Sequence, residues 1–128
     1  MKVFVYGTLK RGLYNHRLLT QAKYLGEGVL HDYGVFNMPV GYPGIKEAKG
    51  KHVIGEVYEV TDNELRMLDR LEGYSGEGNK FNLYDRELVV VNVEGNIKEE
   101  AYVYVWHDRK PNTEEFIESG RWIPKYLK

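Results

Sequence analysis

Short runs of β-branched and aromatic residues, each closed by a glycine or a polar turn, recur along this 128-residue chain. Residues 2–6 form the first run, which ends at Gly7, and residues 53–60 form another. Runs of this kind predict buried β-strands. Apolar stretches stay short, as at residues 89–91, and none approaches the roughly 20 residues that a membrane-spanning helix needs. We therefore expect a strand-rich fold with no membrane partner.

The second half of the chain contains the clearest hairpin. Residues 81–93 and 97–106 are two strand-like runs joined by a turn at residues 93–96, which predicts an antiparallel pair. In the first half, residues 28–30 are strand-like, whereas residues 39–50 are rich in glycine and proline. The glycine- and proline-rich stretch predicts turns rather than a strand.

One helix is predicted with a defined start and end, over residues 61–71. Thr61 followed by Glu64 matches a capping box, in which each residue satisfies the other's free backbone N–H group. Gly73 stands where the helix should end, because glycine adopts the left-handed conformation that closes many helices. These signals are local, so they predict this helix independently of the rest of the fold.

Two shorter helices complete the prediction. One covers residues 15–20 and is capped by Asn15, and the other covers residues 113–119. Because strands outnumber helices and do not alternate with them, the pattern favours an α+β fold over a doubly wound sheet. A single domain is expected over residues 1–128, since domains typically contain roughly 100–200 residues.

Composition excludes several classes of function. The 18 basic and 19 acidic residues give a formal net charge of −1, so no global field attracts nucleic acid. Without cysteine, the chain has no disulfide, no Cys-ligated zinc and no thiol nucleophile. Because no secretory signal precedes the first strand-like run, we expect a cytoplasmic protein. Neither a metal site nor a Ser-His-Asp triad is predicted from the scattered histidines His16, His31, His52 and His107.

A modest basic patch is formed by Lys46, Lys49, Lys51 and His52. An anion-attracting funnel would require these side chains to converge on a cavity. Charge runs more often lie on a solvated face. We therefore interpret the patch as a solvated loop.

Glu72 is the most informative ionisable residue. At about 100° per residue it falls between Leu65 and Leu68, on the helix face that should meet the core, whereas Asp69 and Arg70 point elsewhere. Burial and the negative end of the helix dipole would both raise the pKa of this carboxyl. A raised pKa suits general acid–base catalysis. The alternative is that the helix frays before Glu72 and leaves the side chain solvated.

The turn after the first strand is the second candidate site and comprises Tyr6, Gly7, Thr8 and Leu9. A strand that ends in glycine and turns sharply can direct successive backbone N–H groups into one concavity, which binds anions. Thr8 would add a hydroxyl and Tyr6 a phenol. The spacing matches neither of the glycine-rich phosphate loops. A tight turn with no ligand is the alternative.

Taken in order, these segments resemble the γ-glutamylcyclotransferase family, and within it the γ-glutamylaminecyclotransferase branch. The resemblance extends from residue 3 to about residue 105. It is carried by V-F-V-Y-G-T-L-K-R-G at residues 3–12 with Asn15 and His16, G-Y-P-G at residues 41–44, V-I-G-E-V-Y at residues 53–58, L-D-R-L-E-G-Y at residues 68–74, and Y-D-R at residues 84–86.

The resemblance implies a small mixed β-barrel with a few short helices and a pocket at one side. It also implies a lyase or acyltransferase without cofactor or metal. In such an enzyme the α-amine of a γ-glutamyl group attacks its own γ-carbonyl, and an amine leaves as 5-oxoproline forms. Glu72 would then transfer the protons. The glutamyl portion would be bound by Tyr6, Gly7, Thr8 and Leu9.

Residues 74–84 depart from the family pattern, because this connection is longer than expected. Gly76 and Gly78 within it suggest a mobile lid over the pocket. Tyr84 and Arg86, which follow the connection, are further candidate substrate-binding residues.

The expected partner is a small γ-glutamyl compound, bound by a monomer or a weak homodimer. Two alternatives remain open. One is a non-catalytic module that binds a small amino-acid-like anion in the same pocket. The other is a related cyclotransferase that acts on γ-glutamyl amino acids or on an acylated natural product.

Overall fold

The strand-rich sequence forms a closed mixed β-barrel in a computed structural model that describes residues 1–38, 41–108 and 115–127. The barrel strands are β1 (Lys2–Val5), β2 (Lys23–Asn37), β3 (Pro43–Glu59), β4 (Tyr84–Val93) and β5 (Ile97–Trp106). The other elements are helix α1 (Asp62–Glu72), the short strand β6 (Glu115–Phe116), and 3₁₀ helices at Tyr14–Leu19 and Lys125–Leu127. In the described ranges, no helix combines the length and apolar character needed to cross a membrane.

The barrel closes through β2, which pairs with two other barrel strands, β3 and β4. Strands β2 and β3 form a long antiparallel hairpin, and β1 lies antiparallel to β3 and parallel to β5. The predicted hairpin of β4 and β5 is confirmed. At Gly28 and Val29, β2 also pairs with β4, which completes the circuit. Register shifts at Tyr24/Gly26 and His31/Tyr33 are consistent with the bending that this double role requires.

Both faces of β1 are buried. Phe4 and Tyr6 belong to the core inside the barrel. Val3 and Val5 belong to a second core, which the barrel wall shares with α1. This alternation follows from the two-residue period of a strand. A strand that is held on both faces places the turn after it in a fixed position.

Helix α1 forms as the sequence predicts. The Thr61 side chain accepts a hydrogen bond from the Glu64 amide, and the Glu64 carboxylate accepts one from the Thr61 amide. Gly73 ends the helix with a φ of 69°. Leu65 and Leu68 are buried against the barrel. The capping signals and the apolar face therefore agree.

Leu68→Ala is expected to lower the free energy of unfolding by about 2–5 kcal/mol, because it leaves a cavity where a fully buried side chain stood. Met67→Ala is the matched control, since Met67 is 43% exposed on the same helix. Urea unfolding of both variants measures the difference. Equal losses would contradict the packing of α1 on the barrel.

The prediction of turns between residues 39 and 50 is wrong over most of that stretch. Strand β3 begins at Pro43 and passes through Gly44 and Gly50. Residues 39 and 40 lie outside the described residues. Pairing of residues 43–47 with β2 outweighs the local preference of glycine for turns. The predicted strand at residues 81–93 is also too long, because β4 begins at Tyr84.

The basic patch is not a solvated loop throughout. Lys49 and Lys51 are exposed, but Lys46 is only 9% exposed. All three lysines belong to β3. The ammonium of Lys46 lies 5.9 Å from the centre of the Phe36 ring, so the pairing of β3 with β2 accounts for its burial.

Two predicted helices differ from the structure. The first is a 3₁₀ helix whose capping residue is Leu13, so the assignment of Asn15 as the cap is wrong. The second is the helix predicted over residues 113–119, of which residues 113 and 114 lie outside the described residues. Residues 115 and 116 form β6 and pair with Phe36 and Asn37 of β2. Pairing with β2 thus makes residues 115 and 116 a strand instead of part of the predicted helix.

Candidate active site

A cavity of about 140 Å³ opens where the C-terminal ends of β1 and α1 meet the starts of β3 and β4. Six of the predicted site residues line this cavity, namely Tyr6, Gly7, Thr8, Leu9, Glu72 and Tyr84. They come from three segments of the chain, and closure of the barrel brings them together. The other wall residues, which the sequence did not assign to the site, are Phe4, Val5, Asn15, Tyr42, Pro43, Leu71, Leu83 and Tyr104.

Glu72 is the last residue of α1 and is partly exposed in the cavity wall. Burial raises the pKa of its carboxyl from 4.5 to about 7. The raised pKa that the sequence predicts is thus found, and burial is its cause. Within the described part of the chain, no side chain forms an ion pair or a hydrogen bond with this carboxyl. Glu72 is therefore able to exchange a proton near neutral pH.

Three tyrosines lie close enough to Glu72 for its negative charge to affect their ionisation. Burial raises the pKa values of Tyr6, Tyr84 and Tyr104, and the charge of Glu72 raises each of them further. The Tyr6 hydroxyl donates to the Tyr104 carbonyl at 2.6 Å, and the Tyr84 hydroxyl donates to the Pro43 carbonyl at 2.5 Å. The Tyr6 hydroxyl hydrogen is therefore used within the protein and is not the phenol donor to a ligand that the sequence suggests.

The turn after β1 supplies hydrogen-bond donors. The Lys10 amide donates to the Gly7 carbonyl at 3.1 Å, which closes the turn. No described residue accepts a hydrogen bond from the amides of Gly7, Thr8 or Leu9. The Thr8 Oγ1 atom accepts a bond of 2.9 Å from the Asn15 side chain, so its own hydrogen is still available. These donors suit a carboxylate or an oxyanion.

The 3₁₀ helix at Tyr14–Leu19 holds the turn after β1 in place. The backbone N–H group of Asn15 donates to the Thr8 carbonyl at 3.0 Å, in addition to the bond from the Asn15 side chain to Thr8 Oγ1. His16 Nδ1 lies 2.9 Å from the Leu9 carbonyl oxygen. Asn15 also lines the cavity, which the sequence alone did not indicate. Its signal was the Asn15–His16 pair directly after the turn motif.

Glycine is required at position 7 by a close approach. A Cβ atom at Gly7 would lie 2.7 Å from Pro43 Cγ, which is too close for a real contact. The turn after β1 therefore lies directly against the first residue of β3. The Pro43 carbonyl also accepts the hydrogen bond from Tyr84. Pro43 therefore contacts both the turn after β1 and the start of β4, and these three segments together form part of the cavity wall.

Arg86, a predicted substrate-binding residue, does not line the cavity. Its NH1 atom donates to Asp69 Oδ2 at 2.7 Å. Its guanidinium carbon lies 5.0 Å from the ring centre of Tyr74 and 4.7 Å from that of Tyr102. The structure therefore gives Arg86 partners within the protein and not a place in the cavity wall.

Asp69 connects α1 to the barrel. It accepts the bond from Arg86 and a second bond of 2.6 Å from the Tyr104 hydroxyl. It precedes Glu72 by three residues, which is about one helical turn. The prediction that Asp69 points away from the packed face is thus wrong. Its two bonds fix the last turn of α1 and with it the position of Glu72.

Residues 74–82 form a hydrogen-bonded loop beside the cavity. Asn82 is only 5% exposed, accepts a bond of 2.7 Å from the Ser75 amide and donates one of 2.9 Å to the Gly76 carbonyl. None of residues 74–82 lines the cavity. Asn82 therefore holds the loop together, while Leu83 and Tyr84 at its end line the cavity. The lid that its glycines suggest stays a prediction.

The cavity thus combines one proton-exchanging carboxyl with a set of unused donors. In the part of the chain that the structure describes, no group of three or more His, Asp or Glu side chains is arranged to hold a metal ion. The chemistry that these protein groups offer is proton transfer together with binding of a carboxylate or an oxyanion.

Comparison with known proteins gives concordant matches. Residues 3–124 match the family model described as "Gamma-glutamyl cyclotransferase, AIG2-like". The Gamma-L-glutamyl-butirosin B gamma-glutamyl cyclotransferase of Niallia circulans is 33% identical over 117 residues, covering 91% of this chain and 70% of that protein. The Gamma-glutamylcyclotransferase family protein YtfP of Escherichia coli K12 is 31% identical over 125 residues, covering 98% of each. The crystal structure of an AIG2-like protein from Mus musculus matches with a TM-score of 0.70 and 30% identity, covering 86% of this chain and 79% of that one.

Proposed function

Because this chain belongs to the AIG2-like γ-glutamyl cyclotransferase family, we propose that it cyclises a γ-glutamyl amine or amide to 5-oxoproline and releases the free amine. The observation that carries this proposal is Glu72. Its carboxyl has a pKa of about 7 and lines the same cavity as the unused amides of the turn after β1. A reaction whose nucleophile is part of the substrate needs little more from the protein.

Glu72 acts first as a base and then as an acid. Its carboxylate takes a proton from the α-ammonium of the substrate, and the resulting amine attacks the γ-carbonyl carbon. A new C–N bond closes the five-membered ring and places negative charge on the carbonyl oxygen. As the original C–N bond breaks, the Glu72 carboxylic acid returns its proton to the leaving nitrogen. The ring nitrogen releases its remaining extra proton to solvent, which leaves the neutral lactam of 5-oxoproline and the free amine. A pKa of about 7 allows both transfers near neutral pH.

The turn after β1 binds the glutamyl portion. The free amides of Gly7, Thr8 and Leu9 and the Thr8 hydroxyl can hold either the α-carboxylate or the developing oxyanion. Holding the chain folded back on itself brings the amine close to the carbonyl, which supplies a large share of the acceleration in a ring closure. Tyr84 completes the wall against which the substrate lies.

The direct test is incubation of the purified protein with γ-glutamyl-ε-lysine and related γ-glutamyl amides, followed by detection of 5-oxoproline. The proposal predicts 5-oxoproline and free amine in equal amounts. Saturable binding without product would instead support the non-catalytic module that binds an amino-acid-like anion. Absence of both would contradict any γ-glutamyl role for the cavity.

The leaving group has a second candidate. The relative from Niallia circulans is named as a γ-glutamyl cyclotransferase of γ-L-glutamyl-butirosin B. This likeness favours including γ-L-glutamyl-butirosin B, beside the acylated natural products that the sequence leaves open, in the substrate panel. The γ-glutamyl amino acids are the third class in the panel. The compound with the highest kcat/KM identifies the class of the leaving amine.

Gly7→Ala is expected to lower kcat/KM by about tenfold to a hundredfold, because the added methyl group must displace Pro43 or the turn itself. Gly34→Ala is the matched control, since its methyl group would meet only side chains, at 3.1 Å or more. Steady-state kinetics with the best substrate measure both variants. A loss of similar size in the control would mean that the effect is not specific to the turn after β1.

A further inference from the structure

A second cavity, of about 200 Å³, is lined by the residues that follow the active-site turn and by the C-terminal segment. Lys10, Arg11 and Arg121 bring three cationic side chains to it, and Glu56 brings one carboxylate. Glu72 and the turn amides line the other cavity, so the proposed cyclisation does not use this one.

Lys10 is the unusual group in the second cavity. Only 9% of the residue is exposed, and its Nζ atom donates to the Trp122 carbonyl at 2.8 Å. An ammonium has three hydrogens to donate, so this bond uses one of them. Among the described residues, no carboxylate forms an ion pair with Lys10. A buried ammonium without a counter-charge is costly.

The arginines of this cavity already have acidic partners. Arg11 Nε lies 3.8 Å from Glu56 Oε2, and the Arg11 amide donates to Glu56 Oε1 at 2.9 Å. Arg121 NH2 lies 3.0 Å from Glu27 Oε2. Among the described residues, three cations are thus matched by two carboxylates, Glu56 in the wall and Glu27 outside it, and the excess positive charge belongs to Lys10. Burial and Arg121 lower the pKa of Lys10, while Glu56 and Glu27 raise it to a lesser degree.

The remaining walls are apolar. Trp122 is 5% exposed, and its indole N–H group is already bound to Asn37 Oδ1 at 2.8 Å. The other apolar wall residues are Leu13, Ile123, Pro124 and Leu127. A ligand that fits must therefore carry one negative charge for Lys10 and a small apolar body for these walls.

We propose that the second cavity is a binding site for a small organic monocarboxylate, held by the Lys10 ammonium. The carboxylate of the ligand accepts hydrogen bonds from the Lys10 ammonium hydrogens that are not bound to the Trp122 carbonyl. The short hydrocarbon part packs on Trp122 and its apolar neighbours. The net excess of one positive charge sets the charge of the ligand.

The test compares isobutyrate with isobutyramide, which has nearly the same shape and no charge. Calorimetry measures affinity, and NMR follows the indole N–H signal of Trp122. Wild-type protein is expected to bind isobutyrate saturably, with a shift of that signal, and to bind isobutyramide at least about tenfold more weakly. Binding of isobutyrate should weaken as the pH rises through the lowered pKa of Lys10.

Lys10→Met keeps the length of the side chain and removes the charge. It is expected to weaken isobutyrate binding by about tenfold to a hundredfold. Lys23→Met, at an exposed lysine of β2, should leave binding unchanged. Equal affinity for isobutyrate and isobutyramide in wild-type protein, or no binding of either, would overturn the proposal. Because that comparison needs no variant, it decides even if Lys10→Met does not fold.

Discussion

Glu72→Gln is expected to lower the rate of 5-oxoproline formation by about 10²–10⁴-fold while the protein stays folded. The amide has nearly the same shape as the carboxyl but can neither accept the proton of the α-ammonium nor return one to the leaving amine. Since the described residues form no ion pair or hydrogen bond with the carboxyl, the exchange breaks no contact within them. The loss should appear mainly in kcat, because Glu72 moves protons and the turn after β1 binds the substrate.

The measurement is the initial rate of product formation with wild-type and variant protein, with circular dichroism to verify folding. Glu77→Gln serves as the matched control, because Glu77 is an exposed glutamate of the loop beside the cavity. This control should retain full activity. Turnover of Glu72→Gln near the wild-type rate would refute the role of Glu72 as the acid–base group.

The same substitution is expected to stabilise the protein at alkaline pH. The pKa of Glu72 is raised from 4.5 to about 7 in the folded state. Below the lower value, the carboxyl is protonated in both states and has no effect. Between the two values only the unfolded chain ionises, so the free energy of unfolding falls by about 1.4 kcal/mol per pH unit. Above about pH 7 the carboxyl is ionised in both states, so the free energy of unfolding falls no further.

Glu72→Gln carries no charge and avoids this loss. It should match the wild type at about pH 4 and exceed its stability by about 3–3.5 kcal/mol at about pH 8. Urea unfolding across this pH range measures the difference, and comparison with the wild type cancels the titration of other groups. Equal stability of the two proteins at about pH 8 would show that Glu72 is not desolvated. An acid–base residue that acts near neutral pH thus destabilises the folded protein.

The features that the sequence predicted well depend on neighbouring residues. Thr61, Glu64 and Gly73 lie within or next to α1, and each acts on backbone groups a few positions away. The hairpin of β4 and β5 likewise forms around one short turn. The position of Glu72 beside Leu68 follows from helical periodicity, and its raised pKa follows from burial.

The predictions that were wrong involve competition between local preference and distant pairing. Residues 43–50 contain turn-forming glycines, but pairing of residues 43–47 with β2 makes this stretch part of a strand. Asp69 was expected to point away from the core, yet Arg86 and the Tyr104 hydroxyl, from two other strands, bind it. No pattern within α1 indicates those partners, because they are 17 and 35 residues away along the chain.

The sequence by itself determined helix α1, the hairpin of β4 and β5, and the chemical character of the key groups. Periodicity placed an acid on the inner face of a helix, and a strand followed by glycine indicated a turn with free amides. Only the tertiary structure decided that Glu72 and this turn share one cavity, and that Lys10 lies buried in another. The physical reason is that barrel closure joins residues far apart in the chain, and side-chain packing across that distance leaves no local pattern in the sequence.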